Sequence, residues 1–262
     1  MATKTTSDAI ELPDPADYGE RWAEIYDDHP VHPTAEDAEP AADLLAELAG
    51  SGAALELGIG TGRIALPLAA RGVAVVGVDA SPTMLDLLAA KPGAERIQAV
   101  LGDITDVQVE GRFSLVFAAF NTVLMVPTQS GQIRCFENAA AHLEPEGHFV
   151  VEAFVPEFEK LALSESVQVR KVDDDGAWLL AMRHDPLEQL IASETIRAGA
   201  DGMRRYPTTL RWAFPPELDL MARLAGFSLV DRYESWSRAP FTKESRNQVS
   251  VYRSGRERRW RD

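Results

Sequence analysis

The stretch "LELGIGTG" at residues 55–62 constrains the fold of this chain more than any other part of its sequence. Three glycines fall within five consecutive positions after an apolar run, which predicts a sharp turn at the end of a short strand. "IALPLAARG" then has helical periodicity, and "VAVVGVD" has the β-branched residues of a strand. This βαβ order places the turn at the carboxyl edge of a parallel sheet, where ligands bind. We expect the helix to begin near Thr61, with its free N–H groups facing a ligand, and to bend or end early at Pro67.

The alternation of strands and helices continues along the chain. Ser81 and Pro82 have the residue types of a helix N-cap and a first helical position, and "RIQAVLGDI", "FSLVFAAF" and "GHFVVEAF" read as further strands. Residues 164–213 break this rhythm with strand-like runs joined by Asp/Gly turns, and a helix and two strands follow. The predicted fold is α/β: a doubly wound, mostly parallel, seven-stranded sheet with an antiparallel β-meander inserted after the fifth strand.

Composition and charge argue against several classes of partner. The net charge is −15, which disfavours nucleic acid because phosphate contacts need a basic surface. No apolar run approaches the roughly 20 residues that cross a bilayer. The polar N-terminus lacks the apolar stretch of a secretory signal, so we predict a cytoplasmic protein that binds neither nucleic acid nor membrane. Cys135 is the single cysteine, which predicts a core residue, no disulfide and no metal site.

Two classes of ligand suit the glycine turn. A dinucleotide favours G-x-G-x-x-G, whereas this chain has "GIGTG", and Glu56 would set a carboxylate against a pyrophosphate. S-adenosylmethionine carries an ammonium and a sulfonium but no phosphate, so a carboxylate suits it. Asp79 ends the second strand about 20 residues after the turn, where it can accept hydrogen bonds from both ribose hydroxyls. Asp103 ends the third strand and can bind the adenine amino group, with Ile104 packing on the ring.

The segment "ALELGIGTGRIALPLAARGVAVVGVDASPTML" resembles the first two motifs of class I S-adenosylmethionine-dependent methyltransferases. "GDI", "EGRFSLVFAAFNTVLMV" and "AHLEPEGHFVVEAFVPE" resemble the regions that follow, so the likeness is strong over 50–155 and implies a Rossmann-like sheet. It also implies that Glu56 and the glycines surround the amino acid part of the cofactor, and that Phe120 and Asn121 lie beside the methyl donor. The cofactor-binding residues predicted from the pattern and the resemblance are Tyr18, Tyr26, Glu56, Gly58, Gly60, Thr61, Gly62, Asp79, Ala80, Met84, Asp103, Ile104, Phe120 and Asn121.

Within that superfamily the layout is similar to small-molecule enzymes, including the amino-sugar N-methyltransferases. They share an aromatic N-terminal helix, here "YGERWAEIYD", and a meander after the fifth strand. By this resemblance Tyr18 lies near cofactor and acceptor, and Glu152 matches an acidic residue of a "VVEP"-like stretch. Those enzymes carry a histidine near the acceptor amine at the place where this chain has Met125.

The chemistry of methyl transfer guides the choice of catalytic residues. An amine acceptor needs only to arrive unprotonated, whereas a hydroxyl acceptor usually needs a base within hydrogen-bond reach. We predict Tyr18, Glu152 and His29 as catalytic residues; His29 follows the aromatic helix in "DDHPVHP". Aromatic and polar residues near the strand ends and in the meander predict the acceptor pocket: Phe154, Trp178, His184 and Trp212.

The resemblance therefore implies an S-adenosylmethionine-dependent methyltransferase that acts on N or O of a small molecule, a secondary metabolite or amino sugar, as a monomer or homodimer. A nicotinamide-dependent oxidoreductase on a Rossmann sheet and a non-catalytic S-adenosylmethionine-binding regulator remain as alternatives. The predicted segments are an N-terminal helical cap (1–50), the cofactor-binding core (51–163), the meander as a lid on the acceptor side (164–213), the rest of the core sheet (214–254) and a flexible tail (255–262).

Overall fold

The structure is a computed structural model that describes residues 10–27, 38–157, 159, 163–174, 176–200 and 202–255. His29, Thr34 (a potential helix cap) and most of the predicted tail lie outside the described residues. None of the described helices is both long and apolar enough to cross a membrane.

Eleven strands and seven α-helices make up the described part of the chain. The strands are β1 Ala54–Leu57, β2 Val75–Asp79, β3 Ile97–Leu101, β4 Phe113–Ala118, β5 Leu143–Phe154, β6 Glu165–Asp173, β7 Gly176–Asp185, β8 Leu190–Gly199, β9 Gly202–Arg211, β10 Phe227–Tyr233 and β11 Asn247–Ser254. The helices are α1 Asp17–Trp22, α2 Glu39–Ala49, α3 Ala65–Ala70, α4 Pro82–Ala89, α5 Thr122–Met125, α6 Gln129–His142 and α7 Pro215–Leu224, and a 3-10 turn, Ala23–Ile25, follows α1.

Seven strands form the central sheet in the order β10-β11-β5-β4-β1-β2-β3. The strands β3, β2, β1, β4 and β5 run parallel to their neighbours, whereas β11 is antiparallel to both β5 and β10. The strand order reverses at β1, because β2 lies on one side of it and β4 on the other. A crevice for a ligand opens at such a reversal, outside the carboxyl ends of the strands. The predicted fold class is confirmed.

Alternating side chains of β1 contribute to two separate cores. Ala54 faces a cluster covered by α2 and α3, whereas Leu55 and Leu57 face a cluster covered by α6 and α7. Each fully buried leucine contributes roughly 1.5–3 kcal/mol relative to exposure. Since side chains alternate along a strand, Glu56 lies on the same side as Ala54, at the end of the strand that meets the cavity. Cys135 is buried in the second cluster, and burial raises its pKa to about 12.

The strands β6 to β9 form a separate four-stranded antiparallel sheet, here named the insertion sheet, which confirms the predicted meander. Its strand β9 contacts α1 and α5. Arg211, at the end of β9, is buried and donates hydrogen bonds of 2.7 Å to the side-chain oxygens of Gln132 on α6 and Glu217 on α7. These bonds fix one end of the insertion sheet to the helices that cover the central sheet.

The helix after the glycine turn differs from the prediction. It begins at Ala65 rather than near Thr61, so its free N–H groups start four residues later than expected. Pro67 is therefore the third helical residue, where no intrahelical N–H bond is needed, and the expected bend does not arise. The expectation for α4 is confirmed: the Ser81 hydroxyl accepts a 3.1 Å hydrogen bond from the Met84 N–H, and Pro82 is the first helical residue.

Candidate active site

A cavity of about 900 Å³ opens at the carboxyl ends of β1 to β4, between the N-terminal segment and the insertion sheet. Such a volume lies at the upper end of the range for small-molecule sites. Thirteen of the predicted site residues line it: Tyr18, Tyr26, Glu56, Gly58, Gly60, Thr61, Asp79, Ala80, Met84, Asp103, Ile104, Phe120 and Asn121.

The glycine turn has a backbone that only glycine adopts easily. Gly58, Gly60 and Gly62 have φ angles of 76°, 54° and 80°. A Cβ atom on Gly58 would stand 2.6 Å from the Thr122 methyl carbon. A Cβ atom on Gly62 would stand 2.4 Å from Leu88, so this third glycine serves the packing of the turn against α4 and does not line the cavity.

Glu56 is the least solvated acid of the cavity. Its residue is 3% exposed, and the carboxylate oxygen Oε2 has no hydrogen-bond partner among the described residues. Burial raises the pKa of this carboxyl well above its usual value, the nearby Arg63 guanidinium lowers it, and Asp79 raises it further. A buried carboxylate with an unpartnered oxygen is costly, and a cationic ligand would relieve that cost.

Asp79 is held in a fixed orientation by the backbone around it. Oδ2 accepts a 2.8 Å hydrogen bond from the Gly60 N–H, and Oδ1 accepts a 2.9 Å bond from the Ser81 N–H. Burial raises the pKa of the carboxyl, and these backbone hydrogen bonds partly oppose the rise. A carboxylate has about four acceptor positions, so each oxygen can still accept a bond from a ligand hydroxyl.

The loop after β4 brings Phe120 and Asn121 to the cavity in left-handed conformations, with φ angles of 49° and 64°. Glu152 stabilises this loop, because its Oε2 accepts a 2.7 Å hydrogen bond from the Phe120 N–H. Its Oε1 accepts a 3.2 Å bond from the amide of Asn247. Both carboxylate oxygens are thus engaged by protein groups, and Glu152 does not line the cavity.

The N-terminal segment 10–27 covers the cofactor end of the cavity with aromatic rings. The ring of Tyr18 lies 5.7 Å from that of Trp22 and 6.3 Å, edge-on, from that of Tyr26. Burial raises the pKa of Tyr18 well above 10 and that of Tyr26 to about 12. Both phenols therefore stay protonated at neutral pH.

Two carboxylates attach this segment to the turns after β1 and β2, here named the cofactor turns (58–64 and 80–83). The Glu20 carboxylate accepts hydrogen bonds of 2.6 Å from the hydroxyls of both Ser81 and Thr83. The Asp27 carboxylate accepts a 2.6 Å bond from the Thr61 hydroxyl and pairs with Lys91 at 2.6 Å.

Arg63 is a site residue that the sequence reasoning missed. It lines the cavity directly after the glycine turn, and its guanidinium lies 4.6 Å from the centre of the Phe120 ring. It is also close enough to Glu56 and Tyr18 to lower the pKa of both. The available signal was the basic residue in "GTGR", next to the last glycine.

None of the four predicted acceptor residues is among those that line the cavity. Trp212 is 8% exposed and donates its indole N–H to Nε2 of His184 at 2.9 Å, so the two residues bind each other. Trp178 packs with Tyr206, and the Phe154 N–H donates to the Asn121 side chain at 2.7 Å. The insertion sheet instead lines the cavity with Arg170, Ser193, Thr195, Pro207, Thr208, Thr209 and Leu210.

Trp178 and His184 alternate along β7 with Met182, which stands opposite Ser193, so they share the sheet face of a cavity-lining residue; contact of these residues with an acceptor stays a prediction. Within the described ranges no group of three or more His, Cys, Asp or Glu residues is arranged to hold a metal ion.

Known proteins resemble this chain over most of its length. A family model described as a methyltransferase domain matches residues 54–147. The cypemycin N-terminal methyltransferase of Streptomyces sp is 30% identical over 198 residues, which cover 75% of this chain and 81% of the relative.

Solved structures give the same result. The CcbJ methyltransferase from Streptomyces caelestis has a TM-score of 0.87 and is 40% identical, covering 93% of this chain and 100% of that one. CalS10, an amino pentose methyltransferase from Micromonospora echinaspora involved in calicheamicin biosynthesis, has a TM-score of 0.62. The aligned region covers 83% of this chain and 90% of CalS10, and at 22% identity the likeness shows the fold alone.

These comparisons decide between the classes left open by the glycine turn. The curated relative and CcbJ are both methyltransferases, so the nicotinamide-dependent alternative is wrong. The chain belongs to the S-adenosylmethionine-dependent methyltransferases.

Proposed function

We propose that this enzyme transfers the methyl group of S-adenosylmethionine to an amine nitrogen of a small molecule, a natural product or its precursor. The observation that carries the cofactor assignment is the buried, unpartnered Oε2 of Glu56 at the cavity. The ammonium of the cofactor would satisfy this oxygen, whereas the pyrophosphate of a dinucleotide would be repelled by it.

The other cofactor contacts follow from the charges along the cavity. Arg63 offers a guanidinium to the carboxylate of the cofactor, and Asp79 offers acceptor positions to the ribose hydroxyls. Asp103 and Ile104, at the end of β3, would bind the adenine amino group and pack on the ring. When bound, S-adenosylmethionine supplies an activated methyl group on a sulfonium.

An amine acceptor fits the cavity better than a hydroxyl acceptor. Among the described residues that line it there is no histidine, and Glu152, the predicted carboxylate base, is engaged by the Phe120 N–H and by Asn247. Glu11, Asp14 and Asp17 line the cavity from the N-terminal segment, and their charge favours the approach of a cationic amine. An amine needs no strong base, because it reacts through its own lone pair once unprotonated. The curated relative is also named for methylation at an N-terminus.

Tyr18 and Tyr26 contribute position rather than proton transfer. Their raised pKa values keep both phenols neutral, so each oxygen can accept a hydrogen bond from an amine N–H and orient its lone pair. Together with Trp22 and Met84 their rings exclude water from the cofactor end.

The test is methyl transfer from isotope-labelled S-adenosylmethionine to matched amines and alcohols of the same carbon skeleton. We expect label in the amines only, with kcat/KM rising with pH and levelling off near the pKa of each amine. Transfer to the alcohols would contradict an amine acceptor. So would a pH profile of kcat/KM whose midpoint stays the same for amines of different pKa. Binding of S-adenosylhomocysteine without any transfer would favour the regulator alternative.

A further inference from the structure

Four arginines among the described residues line the cavity, and they come from different parts of the fold. Arg63 lies at the cofactor end, over the ring of Phe120. Arg21 belongs to α1, in the segment that covers the cofactor end, and Arg134 belongs to α6, which borders the loop after β3. Arg170 is the one that the insertion sheet supplies, from β6.

A β-bulge sets the position of Arg170. Val169 stands opposite Leu179, and Lys171 stands opposite Trp178, so Arg170 is an extra residue between two paired positions. Bulges of this kind redirect a side chain and are frequent next to active sites. Lys171 pairs with Asp173 at 2.7 Å. Arg170 lines the cavity and makes neither a hydrogen bond nor an ion pair with any described residue.

The other polar side chains that the insertion sheet presents to the cavity are hydroxyl groups. Ser193 on β8 stands directly opposite Thr208 on β9, and Thr195 follows two residues along β8 on the same face. No carboxylate of the described insertion sheet lines the cavity. The acids that do line it belong to the ends of β1, β2 and β3 and to the N-terminal segment. This wall therefore offers hydroxyl donors and one guanidinium, in a protein whose net charge of −15 otherwise repels anions.

We propose that Arg170 is a specificity residue that binds a carboxylate of the acceptor, so that the acceptor carries both an amine and an acid. This inference rests on the proposed function, since it describes the molecule whose amine is methylated. A guanidinium binds a carboxylate through two parallel hydrogen bonds.

The test measures binding to the S-adenosylhomocysteine-loaded protein by saturation-transfer NMR and calorimetry. The probes are two pairs that differ only in the acid: proline and prolinamide, and 3-aminobenzoate and 3-aminobenzamide. We expect the wild type to bind each acid at least fivefold more tightly than its amide. Arg170→Gln should remove this preference. Lys171→Gln removes the same charge from the next residue, which does not line the cavity. This variant should keep the preference for the acid over the amide.

Equal binding of acid and amide by the wild type, no binding of either acid, or an equal loss in the two variants would each overturn the proposal. Affinity for S-adenosylhomocysteine should stay within twofold in Arg170→Gln, which shows that the variant is folded. The acid preference is read from binding alone, so it can fail while labelled methyl still reaches amines. Conversely, transfer to alcohols would refute the amine acceptor without changing the acid preference.

Discussion

The two walls of the cavity are built by different means. At the cofactor wall, backbone conformation fixes the site: Gly58 and Gly60 have positive φ angles, and two backbone N–H groups hold the carboxylate of Asp79. The insertion sheet presents side chains from exposed and half-buried positions, such as Arg170 and Thr208. A change of side chain on that sheet leaves the cofactor turns intact.

The largest expected effect concerns the cofactor wall. Glu56→Gln removes the buried charge that we assign to the cofactor ammonium, and we expect S-adenosylhomocysteine to bind more weakly by roughly 2–5 kcal/mol. The ligand-free variant should nevertheless be more stable than wild type at neutral pH, because folding no longer has to bury a charge or keep on Glu56 a proton that the unfolded chain releases. Calorimetry and denaturant unfolding measure the two quantities.

The pH dependence of that gain has a definite sign. The folded-state pKa of Glu56 is raised above its usual 4.5. The protonated carboxyl of the wild type therefore contributes its full stability below pH 4.5, and this contribution is lost as pH rises through the raised pKa. The stability advantage of Glu56→Gln should therefore grow with pH over that range. Glu152→Gln is the control: its carboxylate is hydrogen-bonded, so this change should destabilise the protein. An unaltered affinity in Glu56→Gln would show that the ammonium binds elsewhere.

A smaller effect distinguishes the insertion-sheet residues that line the cavity from the acceptor residues predicted from sequence. Thr208→Val removes a hydroxyl from the cavity at nearly constant shape, and we expect the acceptor KM to rise by roughly 2–10-fold, the loss of one hydrogen bond. Trp212→Phe removes the bond to His184 and part of a buried ring, both outside the cavity, and should leave acceptor kinetics within about twofold while lowering stability by roughly 1–3 kcal/mol.

Steady-state kinetics with an amine acceptor, together with calorimetry on S-adenosylhomocysteine, separates these outcomes. Cofactor affinity should stay unchanged in both variants. A larger KM effect for Trp212→Phe than for Thr208→Val would mean that the acceptor binds near His184, as the sequence suggested.

Much of the wall that we assign to the cofactor could be predicted to line a cavity, because each of its turns is a short sequence pattern at the end of a strand. The glycine turn and the acids that end β1, β2 and β3 follow from short patterns whose geometry is local. Thirteen predicted residues accordingly line the cavity. Arg63 was missed although it follows the last glycine, because a basic residue at a helix start also has ordinary structural roles.

The acceptor wall was not predictable in the same way. Trp178 shares a face of the insertion sheet with Ser193 and Thr208, yet only the latter two line the cavity, so the position along the paired strands decides as well as the face. A shift of one residue would exchange the two faces of a strand. Glu152 was correctly placed near the end of its strand, but the Phe120 N–H that engages it comes from a loop more than 30 residues away in sequence.

The smallest expected effect concerns the segment that joins the two walls. On the cofactor side the Glu20 carboxylate accepts bonds from Ser81 and Thr83, and on the insertion side Glu24 pairs with Arg204 at 3.0 Å and Trp22 donates to the Pro207 carbonyl at 3.3 Å. The segment is therefore bonded to both walls.

Glu20→Gln should speed hydrogen exchange in residues 10–27 by a factor of about two, since glutamine keeps one acceptor oxygen and the one bond lost, at the surface, is worth roughly 0.5 kcal/mol. The bonds from Ser81 and Thr83 lower the pKa of Glu20, so its contribution is present above pH 4.5 and is lost as pH falls through the lowered value. Exchange in the wild type should thus approach that of the variant in acid. Glu24→Gln, a matched change in an exposed ion pair, should have a smaller effect. Equal effects of the two changes would show that the segment is held as firmly by the insertion sheet as by the cofactor turns.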